Sequence, residues 1–122
     1  MIVKTSKENR EVVSKLTRKL NLGSENHISR IAFAYSISQE KKLSLNDLKN
    51  SQGKEYSKVV FFGLNYELYV GLICMKYKLH SSDVDIPKYI KLHVDDGLNL
   101  LHTIIDENGY STIIDLIPNL SN

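Results

Sequence analysis

Apolar positions in this chain recur mostly at helical spacing. Val12, Val13, Leu16 and Leu20 form one stripe, preceded by Ser6, whose hydroxyl suits a helix N-cap, and followed by Gly23, which ends the segment. Met1 to Thr5 is a short β-prone piece ahead of it. Ser24 caps a second helix with Glu25 in its first turn, and Ile28, Ile31, Ala32, Ala34 and Tyr35 make its main apolar face. Phe33 and Ile37 lie on the opposite side. A helix apolar on two faces must be covered twice, either by the rest of this small domain or by a second copy of the chain; the second copy is favoured, which makes Phe33 and Ile37 the expected oligomer interface.

Glu40 to Ser57 is polar and lysine-rich and reads as a loop, with one helical turn near Leu45 to Lys49. Val59-Val60-Phe61-Phe62 opens either a strand or a buried helix, which periodicity does not decide. Leu64 to Lys78 is apolar almost all round, so it is expected at the centre of the fold. Asp85 and Pro87 signal the start of another helix, whose face carries Ile90, Val94, Gly97, Leu98, Leu101, Ile104 and Ile105. Gly97 within that face predicts close approach of another backbone. Asn108-Gly109 breaks the chain, and Tyr110 to Ile117 would be a short last helix before Pro118. The expected fold is mainly α: a compact helical domain of about five helices with a short N-terminal β segment and a ribbon-helix-helix-like start. One domain spans 1–122, with that start over 1–38, a basic loop over 39–58 and a helical core over 59–117.

Composition fits one globular domain: 122 residues, 42% hydrophobic and 25% charged. The single cysteine, Cys74, permits no intrachain disulfide, and its apolar neighbours Leu72, Ile73 and Met75 point to a reducing interior. The run Val59 to Met75 is broken by Asn65 and Glu67 and is shorter than the ~20 residues of a spanning helix, and the N-terminus lacks the apolar stretch of a secretion signal. The chain is therefore expected in the cytoplasm, without a membrane partner.

Charge alters this picture. Net +2 divides into +6 over residues 1–60 and −4 over 61–122. A basic half suits a polyanion, because neutralising phosphates releases counterions. Lys7, Arg10 and Arg18 cluster opposite the apolar stripe of the first helix, with Lys15 and Lys19 on its flank and Glu8 and Glu11 in partial offset. A merely solvated surface with i,i+4 pairs would look similar.

The catalytic signals are sparse. Gly53-Lys54 has Leu48 where a phosphate-binding loop needs its first glycine and Glu55 where it needs Ser or Thr. The histidines His27, His80, His93 and His102 show no metal-ligand spacing, so neither metal nor cofactor is expected; His93 with Asp95 or Asp96 is the weak alternative. Cys74 in its apolar setting reads as core. His93 beside Gly97 is the one histidine to test as acid or base, against the commoner satisfied core histidine. Tyr56 could stack on a base or attack phosphorus. Tyr66, Tyr69 and Tyr77 read as packing. Gly53-Lys54-Glu55-Tyr56-Ser57-Lys58 forms a small basic segment with an aromatic, able to lie along phosphates.

Strand, helix, tight turn with glycine, helix is the order of ribbon-helix-helix DNA-binding proteins, in which Lys4 would sit on a ribbon formed between subunits. The bulk of the chain after Ile37 exceeds what such a repressor or antitoxin requires. Four stretches resemble the DndE family of the DNA phosphorothioation system. They are Val3-Lys4-Thr5-Ser6; Asn21-Leu22-Gly23 with Ser29-Arg30-Ile31-Ala32 and Ser36-Ile37; Gly53-Lys54-Glu55-Tyr56-Ser57-Lys58 leading to Gly63; and His93-x-x-x-Gly97-x-x-Leu100. The family pattern carries Cys or another small residue where this chain has Ser29. The resemblance implies a mainly helical protein that self-associates as a tetramer and binds duplex, preferably nicked, DNA through surface lysines. It also implies work with the DndC and DndD components, downstream of a cysteine desulfurase. With the basic first half, it makes Lys4, Lys7, Arg10, Arg18, Lys19, Lys54 and Lys58 the expected DNA contacts. A nicking activity through His93 or Tyr56 stays an alternative, since no nuclease motif decides it.

Overall fold

The computed structural model describes residues 1–109. The element order is β1 (Ile2–Lys4), α1 (Lys7–Lys19), α2 (Glu25–Ser38), a 3-10 turn (Leu45–Asp47), β2 (Glu55–Ser57), α3 (Lys58–Phe62), α4 (Tyr66–Tyr77) and α5 (Ile86–Asn108). The mainly helical domain with a short N-terminal β segment is therefore found, while the helix expected over 110–117 lies outside the described residues.

The start of α1 is held from a distance. The Ser6 side chain makes no capping bond. Instead Asp95 of α5 accepts from the Ser6 amide at 2.9 Å and from Asn9 Nδ2 at 2.8 Å, and its other oxygen takes the Lys91 ammonium at 2.8 Å. Lys91 also donates to the Lys4 carbonyl, tying β1 to α5. Asn21 and Gly23, at φ +54° and +80°, make the left-handed turn into α2. Pro87 in the first turn and Gly109 in the left-handed conformation bound α5 at the expected places.

The centre belongs to α2 and α5, which run antiparallel, with Ala32 against Gly97 and Ser36 against His93. Around them pack Leu16, Ile28, Phe33, Phe61, Phe62, Ile73, Ile90, Leu98, Leu101 and Ile105, all fully buried. The expectation that α4 is central is corrected. Only Ile73 of α4 is buried, while Leu68 and Met75 are 60% and 80% exposed. Part of its apolar circumference covers the core through Tyr66, Tyr69, Val70, Ile73 and Tyr77, while Leu68 and Met75 on the other side have no cover among the described residues.

The expected loop over 39–58 ends in a strand. β2 pairs antiparallel with β1, Val3 opposite Tyr56. The Gly53 amide donates to the Thr5 carbonyl, the Lys54 amide to Thr5 Oγ1, and the Thr5 amide to the Lys54 carbonyl. A side chain at Gly53 would collide with the Ser6 carbonyl. Val59 to Phe62, left open by periodicity, resolves as the short helix α3, because Ser57 Oγ accepts from the Val60 amide and caps it. Among the described residues, no helix is long and apolar enough to cross a membrane.

Candidate nucleic-acid interface

Because α1 buries Val13, Leu16 and Leu20, the opposite arc faces solvent, and Lys7, Arg10 and Arg18 stand exposed along it. They fall within about 80° of arc and follow the axis at intervals of about 4.5 and 12 Å, with Ser14 between the two arginines. Among the described residues none of these three cations makes an ion pair. A groove along this face is lined by Arg10, Lys15, Arg18 and His102 together with Glu8, Glu11, Val12 and Ser14, so it carries both signs of charge.

The remaining expected contacts divide. Lys54 reaches Glu25, the first residue of α2, at 2.9 Å, and the same carboxylate accepts from Ser14 Oγ at 2.7 Å. The Ser14 bond, opposed by partial burial and aided by Lys54 and then Arg10, holds the Glu25 carboxyl below the usual carboxylate range. Arg10, Ser14, Lys54 and Glu25 thus form one cluster at the junction of α1, α2 and the Gly53-Lys54 segment. Lys58 lies 4.0 Å from the centre of the Tyr66 ring and makes no ion pair among the described residues. Lys4 pairs across the ribbon with Glu55 at 3.7 Å. Lys19, with Lys15, converges on Asp106 of α5, whose pKa is lowered chiefly by the Lys15 bond. The structure therefore gathers Lys7, Arg10, Arg18 and Lys54 near α1, and neutralises Lys4 and Lys19 in part.

The two residues weighed for chemistry are enclosed. Tyr56 is 5% exposed, accepts from Ser29 Oγ at 2.9 Å, donates to the Glu25 carbonyl at 3.2 Å and leans on Phe61; burial raises its pKa. It offers no face to a base. His93 is fully buried, with Nδ1 2.7 Å from Ser36 Oγ and Nε2 2.7 Å from the Tyr77 hydroxyl. Ser36 Oγ also lies 2.6 Å from Asp96 Oδ2, and the Leu43 amide donates to the Tyr77 oxygen. One direction satisfies every atom: Leu43 N–H to Tyr77, Tyr77 O–H to Nε2, Nδ1–H to Ser36, Ser36 O–H to Asp96. Burial, followed by the Lys76 ammonium, lowers the His93 pKa to about 4 and keeps it neutral. No lone pair remains for proton abstraction, so the chain of bonds fastens the start of the 39–58 segment to the core. Among the described residues no group of three His, Cys, Asp or Glu converges as a metal site.

Phe33 also has a different place from the one expected. It is 1% exposed, packed on Tyr69 at 4.9 Å and edge-on to His93, so the chain itself supplies its second cover. Ile37 is half-buried against the same core. The strand β1, expected in a ribbon between subunits, has its antiparallel partner in β2 of the same chain. Sequence reasoning missed Glu25 as the clasp on Lys54, and Arg30, which donates to the carbonyls of Phe61 and Val60 at 2.7 and 2.6 Å and pins α3 to α2. Both contacts join residues about thirty apart with no motif linking them.

No curated relative matches the chain. Among solved structures, a crystal structure of a glycine-to-lysine variant of DndE involved in DNA phosphorothioation superposes with a TM-score of 0.66 at 22% identity, covering 82% of this chain and 95% of that one. DndE from Escherichia coli B7A, described as involved in DNA phosphorothioation modification, gives a TM-score of 0.63 at 20% identity, again over 82% and 95% of the two chains. At those identities the likeness establishes the fold. The family model for DNA sulphur modification protein DndE matches residues 2–108, a span running from β1 to the end of α5, and the chain belongs to the DndE family.

Proposed function

We propose that this protein is the DNA-binding subunit of a cytoplasmic DNA phosphorothioation system, holding duplex and preferably nicked DNA by its backbone while the DndC and DndD components carry out the sulfur chemistry. The observation that carries this reading is the line Lys7, Arg10 and Arg18 on the solvent face of α1, none of which makes an ion pair among the described residues. Phosphates recur every few ångströms along a strand, so cations fixed to a rigid helix can meet several at once. Lys58 extends the track, and Lys4, Lys19 and Lys54 contribute less because each already faces a carboxylate. No bond-breaking role falls to His93 or Tyr56, whose polar atoms are occupied inside the fold.

Self-association belongs to the same reading, through α4 in place of Phe33. Leu68 and Met75 stand exposed on one side of α4, Leu64 is exposed just ahead of the helix, Leu72 is half-buried at the edge of the stripe, and among the described residues the space around Gly71 is open. The stripe is self-complementary. Two copies of α4 packed antiparallel about Gly71 and Leu72 would set Leu68 against Met75 of a second copy and Glu67 near Lys78 of that copy. Repeating the α1 cations by symmetry lengthens the surface available to one duplex.

The test is titration of a fluorescent nicked duplex, and of its intact counterpart, over a range of salt concentrations. Expected is a linear fall of log K with log salt, with a slope near about −0.9 for each phosphate neutralised, and tighter binding to the nicked form. Absence of binding, or binding indifferent to salt, overturns the reading.

A further inference from the structure

The cluster at the junction of α1, α2 and β2 contains one group that a polyanion-binding surface should lack. Glu25 is wedged among Lys54, Ser14 and Arg10, where an incoming phosphate would otherwise make its bonds. Its two oxygens are separately engaged, Oε1 by Lys54 at 2.9 Å and Oε2 by Ser14 at 2.7 Å. The ammonium and the hydroxyl are the donors that recognise a phosphate oxygen, and Arg10 stands close enough to act on the same carboxylate. The pair is only partly shielded: the Lys54 side chain is 27% exposed and that of Glu25 36%. It can therefore exchange partners with a ligand arriving from solvent.

We propose that the Glu25 carboxylate is a built-in stand-in for a DNA phosphate, which clasps Lys54 and Ser14 in the free protein and gives up Lys54 to the strand when DNA binds. The inference rests on the DNA-binding reading and adds a phosphate subsite with a resident competitor. Its consequence is quantitative. When Lys54 passes from carboxylate to phosphate, the strand releases a counterion while the freed carboxylate takes one up, so this contact adds little to the salt dependence. Removing the carboxylate leaves the release uncompensated.

The experiment compares salt titrations of nicked-duplex binding for the wild-type chain, Glu25→Gln, Glu11→Gln and the double variant Glu25→Gln with Lys54→Gln. Glu11 lies on the exposed face of α1, makes no ion pair among the described residues, and controls for the bare change of charge. Expected for Glu25→Gln is tighter binding at low salt with a slope steeper by about 0.9, for Glu11→Gln an unaltered slope, and for the double variant a return to the wild-type slope. A Glu25→Gln slope equal to that of wild type or of Glu11→Gln overturns the stand-in while leaving the DNA-binding reading intact. A wild-type chain that does not bind overturns both. Circular dichroism checks folding, and Glu25→Ser, which keeps an oxygen acceptor at the first helical position, carries the same expectation if the amide variant does not fold.

Discussion

Gly97 of α5 rests directly on the backbone of Ala32 in α2, and a Cβ added at Gly97 would overlap the Ala32 carbonyl oxygen and carbon. The atoms in the way are backbone in the middle of a buried helix, which cannot swing aside as a long side chain can. This contact sets how closely the two central helices approach. Gly97→Ala should lower stability by about 3 kcal/mol, the upper part of the usual cost of overpacking, despite alanine's better helix propensity. Urea unfolding measures it, and a variant as stable as wild type would show that the helices separate freely.

Arg10→Ala and Arg18→Ala should each weaken DNA binding about equally for unrelated sequences and make the salt slope shallower by about 0.9. Lys19→Ala should change the slope by less, because Lys19 shares Asp106 with Lys15. Anisotropy titrations at several salt concentrations test both statements. An equal effect at Arg18 and Lys19 would mean that ion pairing within the protein does not decide which cations reach DNA.

His93 gives a pH dependence with a definite sign. Its folded pKa is depressed from 6.5 to about 4, chiefly by burial and then by Lys76, so between those values the unfolded chain binds a proton that the folded chain refuses. Its contribution to stability is complete above about pH 6.5 and is lost as pH falls toward 4, by about 3 kcal/mol at most. Unfolding midpoints at pH 7 and pH 4.5 should converge between wild type and His93→Gln, the variant being less stable at neutral pH and falling less on acidification. Parallel curves would refute a buried neutral imidazole.

Lys91 and Asp95 form a buried pair one turn apart on α5, their side chains 10% and 6% exposed. Lys91→Met leaves a buried carboxylate without its cation and cuts the bond to the Lys4 carbonyl, so stability should fall by about 3 kcal/mol or more. Loss below about 1 kcal/mol in chemical unfolding would argue that the Ser6 and Asn9 donors suffice for Asp95.

Leu68→Glu places a charge in the exposed stripe of α4 and should convert an assembled protein to smaller species, measured by light scattering at several concentrations, with the helical circular dichroism signal unchanged. If Leu68→Glu leaves the mass unchanged, the α4 stripe is not the subunit contact.

Where most helices run and stop is legible in local residue patterns. Spacing of apolar residues, Pro87 and Gly109 are local signals that act within a few residues, and α1, α2 and α5 follow them. The sequence also announced the close approach at Gly97, since a glycine in the middle of an apolar helix face has few other uses, and it marked the basic first half. Tertiary structure alone decided which of those cations are free. Lys15 and Lys19 meet Asp106 near the end of α5, Lys54 meets Glu25, and β1 finds β2 some fifty residues on, all partnerships between segments far apart in sequence. The crossing of α2 and α5 buried Phe33 and His93 and pushed α4 outward. Periodicity shows that a helix has apolar faces, but which face the chain itself covers depends on the packing of elements distant in sequence, and no local pattern encodes that.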